Sequence, residues 1–361
     1  MEKDKLNAFI KISVAVLLVL AIIYMGSLVD FLFKPIASLI AIMTVPLMLS
    51  VFFYYLLRPL VNWMERKNLK RTLAVIIIYA MIALIFAGFA VIVWPSLRSQ
   101  LLTLVEDAPD LFASLSKQLQ EIEQNGKWSR WFPEGGNPLS QMTDYLNKGF
   151  TFVTNYISNA VAVISSIAIV IAIFPVILFY MLKDSGKFSS RIIKLMPARF
   201  QKDTAEVVTE IDHSLSGFIV GKVLINLALG VLMYPGFLLI GLPYALLLTA
   251  VAVILNFIPF IGSFLSTIPI VIIGFIESPS IAIWSLVIIF VAQQIQDNLI
   301  APYVYRKQLD IHPLTTIILV LVGGDLAGMV GILLVIPVYM IIKIIAVKIY
   351  RLYIQKRWEA L

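Results

Sequence analysis

Residues 244–275 read YALLLTAVAVIL-NFIPFIG-SFLSTIPIVIIGF, and the seven-residue middle decides the fold. Two apolar arms, Tyr244 to Leu255 and Ser263 to Phe275, flank Asn256-Phe257-Ile258-Pro259-Phe260-Ile261-Gly262. At a rise of 1.5 Å per residue each arm reaches only about 20 Å, against a hydrocarbon core of roughly 30 Å. Each arm is therefore too short to cross a bilayer alone. A Pro/Gly break between two short arms predicts a re-entrant hairpin, with Pro259 and Gly262 at the break. Broken backbone at that depth is tolerated only where protein or a water-filled cavity covers it.

A second interrupted pair follows. Pro313 to Val322 is a short arm that meets Gly323-Gly324-Asp325-Leu326-Ala327-Gly328, and Met329 to Ile345 resumes it. Gly323, Gly324 and Gly328 are the expected breaks here. Pro302 is a further expected break, after a full run from about Ile281 to Ile300.

The whole composition supports a membrane solvent. Of 361 residues, 60% are hydrophobic and 14% charged, with a mean hydropathy of +0.95. Soluble domains carry about 25% charged residues, so a charged outer skin cannot be built from this chain. Lys and Arg exceed Asp and Glu by 28 to 21, and the excess sits between apolar runs rather than in a nucleic-acid patch. No nucleic-acid partner is expected. Cysteine is absent and only His213 and His312 occur, which removes disulfides, thiolate chemistry and multi-histidine metal sites. No catalytic centre, metal or cofactor is expected.

Working outward to the N-terminus, the apolar runs are about Ile12 to Phe33, Pro35 to Leu57 and Thr72 to Trp94. The first is too long for the core of a cleaved signal and reads as an uncleaved span. The basic loop of Arg58, Arg66, Lys67, Lys70 and Arg71 should be cytoplasmic under the positive-inside rule. By parity residues 96–149 lie outside the cytoplasm. Leu101, Leu104, Val105, Ala108, Leu111, Phe112, Leu115, Leu119 and Ile122 repeat there at helical spacing, while Asn125 to Pro138 reads as loop. Three placements are open to that helix: on the membrane, against copies of itself, or as a packed cap. Phe150 to Leu182 is the fourth run, and Lys183 to Lys202 after it is again basic and cytoplasmic.

The expected organisation is thus an all-α integral membrane protein with about 8 transmembrane helices and two broken hairpins. Residues 1–95 hold the first three spans, 96–149 the extracytoplasmic amphipathic segment and 150–182 the fourth span. Residues 183–214 form a cytoplasmic loop, 215–347 the C-terminal core and 348–361 a basic cytoplasmic tail. Both termini fall inside. Span plus hairpin then occurs twice with opposite orientation, a recurring plan of transporters.

Two motifs fail on inspection. Gly217-x-x-x-Gly221-Lys222 has three residues between its glycines and Val223 after the lysine, so it is not a phosphate loop. Its small-xxx-small spacing instead favours close approach of another helix. Asp325 behind two glycines lacks the second aspartate that intramembrane proteolysis needs. It either binds a cation or proton or caps the following helix.

The polar residues that remain are candidates for a solute or ion pathway. Lys222 and Asn226 lie four apart on one helical face; Lys222 either snorkels to the interface or faces a cavity. Asn256, Gln293, Gln296, Asp297 and Asn298 cluster near the first break and the end of the next run. Asp297 is either a functional membrane carboxylate or an interfacial one beside Arg306 and Lys307. The amides either line a path for a hydroxylated solute or glue helices together.

Asn256-x-x-Pro259-x-x-Gly262, Gln296-x-Asn298-x-x-x-Pro302 and His312-Pro313 together resemble the autoinducer-2 exporter family of bacterial membrane proteins. Gly323-Gly324-x-x-x-Gly328-x-x-Gly331 and Ile336-Pro337 complete the resemblance. It implies a multi-pass transporter of the bacterial cytoplasmic membrane, with members linked to export of that quorum-sensing signal or to sodium/proton antiport. It also implies a homo-oligomer. Three functions stay open at this point: export of a small polar solute, sodium (lithium)/proton antiport, or a non-transporting scaffold.

Overall fold

The computed structural model describes residues 30–124, 172–259, 261–305 and 311–351, with isolated positions before residue 30 and at residue 170. Most of the first apolar run and of the fourth, the segment 125–149 and the tail from residue 352 lie outside the described residues. So do Arg306 and Lys307. Among the described residues every regular element is helical. Five helices are long and apolar enough to cross a bilayer: Ile42–Arg66, Arg71–Asp107, Ala198–Leu239, Pro279–Val304 and Val330–Ile349.

Helix α1 (Asp30–Arg66) and α2 (Arg71–Gly88) pack on each other. A π-helical turn at Phe89–Val93 leads α2 directly into α3 (Trp94–Gln124). The third span and the amphipathic segment are therefore one continuous rod. A widened turn just ahead of Pro95 lets the helix pass a residue that cannot donate its backbone N–H.

The short apolar helix α4 (Ala172–Lys183) and α5 (Ser185–Leu195) follow. Arg71 fastens this region. Its guanidinium donates to Leu182 O at 2.7 Å, Ser185 Oγ at 2.6 Å and Glu65 Oε2 at 2.7 Å. Removing a charged donor from such bonds costs about 2 kcal/mol. Arg71→Ala is expected to lower Tm by that equivalent, read by thermal denaturation of the purified chain. Lys70→Ala, whose side chain bonds no described residue, should leave it unchanged.

Helix α6 (Gln201–Leu239) is the spine. Its lower half puts Leu215 and Ile219 into a first apolar core with Leu57, Val61, Ile78 and Leu182. Its upper half puts Leu229, Met233 and Phe237 into a second core with Leu248, Ile270 and Ile289. Arg58 pairs with Asp212, and Lys348 with Glu206 at 2.6 Å, so ion pairs hold the acidic first half of α6 to basic side chains on its neighbours. Gly217 meets open space among the described residues, whereas Gly221 is buried. The tight positions are Gly230, where an added Cβ would come 2.8 Å from a Val253 methyl, and Gly236, 2.8 Å from Ile288.

The end of α6 is a Schellman motif. Gly241 takes φ +70°, Leu242 N–H donates to Phe237 O at 3.0 Å and Gly241 N–H to Leu238 O at 3.1 Å. The chain then enters α7 (Ala245–Leu255), breaks, and returns as α8 (Ile261–Glu277). A Cβ on Gly262 would sit 1.9 Å from Leu255 O, so the two arms meet backbone to backbone at the break. Helix α9 (Pro279–Ile295) starts on an N-cap, with Ser278 Oγ accepting from Ile281 N–H at 3.2 Å and Pro279 in the first turn.

Beyond α9 a π-helical turn, Gln296–Ile300, carries the span on into α10 (Ala301–Tyr305). Pro302 is thus not a break. It lies in the first turn after the widened turn, where its missing N–H is accommodated, and the helix continues through it.

Helix α11 (Pro313–Ile349) begins with His312 Nδ1 accepting from Leu314 N–H at 3.2 Å. Its interruption is at Ala327 (φ −145°, ψ 22°) and Gly328 (φ 57°, ψ −141°). Gly323 and Gly324, expected at the break, are helical. Gly323 serves a different purpose: a Cβ on Gly331 would lie 1.9 Å from Gly323 O. Residues eight apart in a straight helix are about 12 Å apart, so the chain doubles back here. Both interrupted elements therefore close on a glycine–carbonyl contact.

Helix α3 packs on α7 and α8. Tyr244 donates its hydroxyl to Asp107 Oδ2 at 2.6 Å, Leu247 N–H donates to Gln100 Oε1 at 3.0 Å, and Gln118 Nε2 donates to Ile276 O at 3.1 Å. The amphipathic helix covers both outer ends of the first hairpin in its own chain.

Candidate functional site

Between the two apolar cores, α6 presents a polar level. Asn226 is fully buried, and it points to the break between α7 and α8, where Asn256 is 4% exposed. Asn256 Nδ2 donates to Asn226 Oδ1 and to Gln296 Oε1, both at 3.0 Å. Ser263 Oγ, on the first turn of α8, donates to Asn256 Oδ1 at 3.2 Å. Gln296 Nε2 donates onward to Asp297 Oδ1 at 3.2 Å. Asn226 Nδ2 reaches Val253 O at 3.5 Å.

Four elements thus converge on one side chain. Both N–H groups of Asn256 and its carbonyl oxygen are used, and it is the hub of the network. The reason lies in local backbone. Asn256 ends α7 as its C-cap, and the turn Phe257 N–H to Ile254 O and Ile258 N–H to Leu255 O folds the chain back at once. That places the amide where α6, α8 and the π-helical turn are all within reach. The extra residue in the π turn sends Gln296 inward while Asp297 and Asn298 stay exposed. Such single-turn bulges recur at functional sites.

Lys222 lies one helical turn from Asn226 and is half-buried, with no hydrogen bond or ion pair to any described residue. Among the described residues Asp297 is the charged group whose field acts on it. The hairpin tip also touches the N-terminal half, since the Phe257 ring lies 6.3 Å from that of Phe52.

Of the residues expected from sequence, the structure joins Asn226, Asn256, Gln296 and Asp297 in one network and sets Lys222 beside it. Gln293 is half-buried outside the network. Asn298 bonds Gln294 at 2.5 Å on an exposed face. Asp325 is exposed next to the second break and joins nothing in the network. Ser263 is the member that sequence reasoning missed. Its only signal was its place directly after Gly262. Among the described residues no group of three or more His, Cys, Asp or Glu could hold a metal.

Helices long and apolar enough to cross a membrane, interrupted twice and with the first interruption closed on buried amides, mark a multi-pass membrane protein of the transporter class. Residues 5–351 match the family model described as AI-2E family transporter, and the chain belongs to that family. YueF of Bacillus subtilis is 32% identical over 345 residues, covering 93% of this chain and 92% of that protein. The AI-2 transport protein TqsA of Escherichia coli is 28% identical over 309 residues, covering 83% of this chain and 84% of TqsA.

Proposed function

We propose that this chain is a secondary transporter that exports a small hydroxylated solute of the autoinducer-2 type through its C-terminal core. The carrying observation is the buried amide hub at Asn256, set where a broken hairpin meets α6 and the π turn. Amides offer both donors and acceptors, which suits hydroxyl groups that switch between the two roles. With no phosphate loop in the chain, the solute's own gradient or an ion gradient supplies the energy.

In this reading the first hairpin enters from the outer side and the second from the cytoplasm, as inverted repeats. The basic ends of the helices, with both termini, face the cytoplasm of a bacterial cell, following the positive-inside rule. The working assembly is a homo-oligomer, as the family resemblance implies.

Everted membrane vesicles enriched in the full chain should accumulate autoinducer-2 faster than vesicles without it. Asn226→Ala should slow the initial rate about tenfold, the equivalent of one buried hydrogen bond. Val231→Ala, on the exposed side of the same helix, should not. Equal accumulation with and without the chain would remove the reading.

Sodium/proton exchange is the second reading, because Asp297 is a carboxylate held at the network by Gln296. It would be selected if imposed sodium gradients shift internal pH in proteoliposomes and Asp297→Asn abolishes the shift.

A further inference from the structure

We infer that Lys222 is a built-in counter-cation for Asp297, occupying the electrostatic role that a coupling sodium ion would otherwise fill. This deepens the export reading and rests on it for its functional meaning. The test below reads sodium binding rather than flux, so the two can fail separately.

Lys222 stands at the polar level of α6, with first-core residues Leu215 and Ile219 on one side and Asn226 one turn away on the other. The π-helical turn that carries Gln296 and Asp297 packs directly against α6. Through Asn256, Gln296 is hydrogen-bonded to Asn226, so the backbone of the turn and that of α6 are held at one level. Asp297 spends one oxygen on Gln296 Nε2 and keeps the rest of its lone pairs. Lys222 spends none of its three N–H bonds on a described residue, and Asp297 is the charge that acts on it.

A carboxylate at membrane depth requires a compensating charge. Two sources can supply it: an ion from solution or a cation tethered to the protein. Among the described residues, one lysine, one aspartate, three amides and Ser263 make a level of zero formal charge. An ammonium on a flexible four-carbon stem can swing toward a carboxylate on a helix packed against its own. A sodium ion placed at Asp297 would face that ammonium as a like charge, so Lys222 excludes it. The empty polar level then balances its own charge and can return without a bound ion, which makes export independent of sodium.

The full-length chain in detergent is compared in choline chloride and in sodium chloride at about 100 mM, with Tm as the readout. Wild type should show no sodium-specific shift. Lys222→Met should gain a sodium-specific rise of about 3 °C, and Lys222→Met/Asp297→Asn should lose it again. A sodium shift in wild type, or none in a folded Lys222→Met, overturns the inference. Should Lys222→Met alone not fold, the remaining two variants still decide. Asp297→Asn leaves an uncompensated ammonium and should melt below wild type, whereas the double variant should recover. A double variant no more stable than Asp297→Asn overturns the inference.

Discussion

Gly262→Ala is expected to leave little folded protein. The new methyl would lie 1.9 Å from Leu255 O and 2.6 Å from its carbonyl carbon. Both sides of that contact are backbone, so no side chain can rotate away. Overpacking usually costs about 1–3 kcal/mol when side chains adjust, and here the hairpin arms themselves must part. The separation would also strain Gly262 N–H to Ile258 O, 3.0 Å long, which closes the turn. Size-exclusion chromatography should show loss of the monodisperse peak, or a Tm lower by the equivalent of at least about 3 kcal/mol. Gly331→Ala should behave alike, since its methyl would lie 1.9 Å from Gly323 O. Gly217→Ala is the control: it meets nothing within 4 Å and should gain about 0.5–1 kcal/mol from helix propensity. Wild-type Tm in Gly262→Ala would show that the arms do not touch.

Asn256→Ala is the second large effect. It strips partners from Asn226 Oδ1, Gln296 Oε1 and the Ser263 hydroxyl in one step. Each unsatisfied buried polar group costs about 1–3 kcal/mol, and the three are coupled, so about 3–5 kcal/mol is expected rather than the full sum. Asn256→Asp keeps the shape but turns both donating N–H groups into an acceptor facing two acceptors. It should be at least as harmful as alanine. Asn298→Ala, whose bond to Gln294 is solvent-side, should stay within about 0.5 kcal/mol of wild type. Thermal denaturation of the three variants side by side checks the order. Equal Tm for Asn256→Ala and wild type would mean that the hub carries no stability.

The first break was legible because a proline and a glycine interrupt arms too short to span. The second fell at Gly328, one of the three glycines expected there, and not at Gly323 or Gly324. A glycine pair announces freedom of the backbone, but not whether that freedom serves a turn or a close crossing. Gly323 serves the crossing, and Gly328, with its positive φ, serves the turn. Pro302 misled for a related reason: a widened turn absorbs a proline that would otherwise end the helix, and hydropathy carries no trace of it. At the polar level, Asn226, Asn256 and Gln296 stood out as amides within apolar runs. Their pairing did not, because helical spacing orders residues along one helix and says nothing about which helix faces it. Ser263 resembled any serine in an apolar helix, where a hydroxyl commonly satisfies itself on a preceding carbonyl, as Thr249 does on Ala245 at 2.7 Å.

Helix α3 grips the first hairpin near both of its outer ends, through Gln100 and Asp107 at the start and Gln118 at the finish. Those three bonds make it a handle. When the hairpin tilts, the handle tilts too, and whatever clamps the handle applies a brake to the moving part. In the proposed orientation that handle is reachable from the medium, so a rigid binder raised against it would stall the carrier without entering the bilayer.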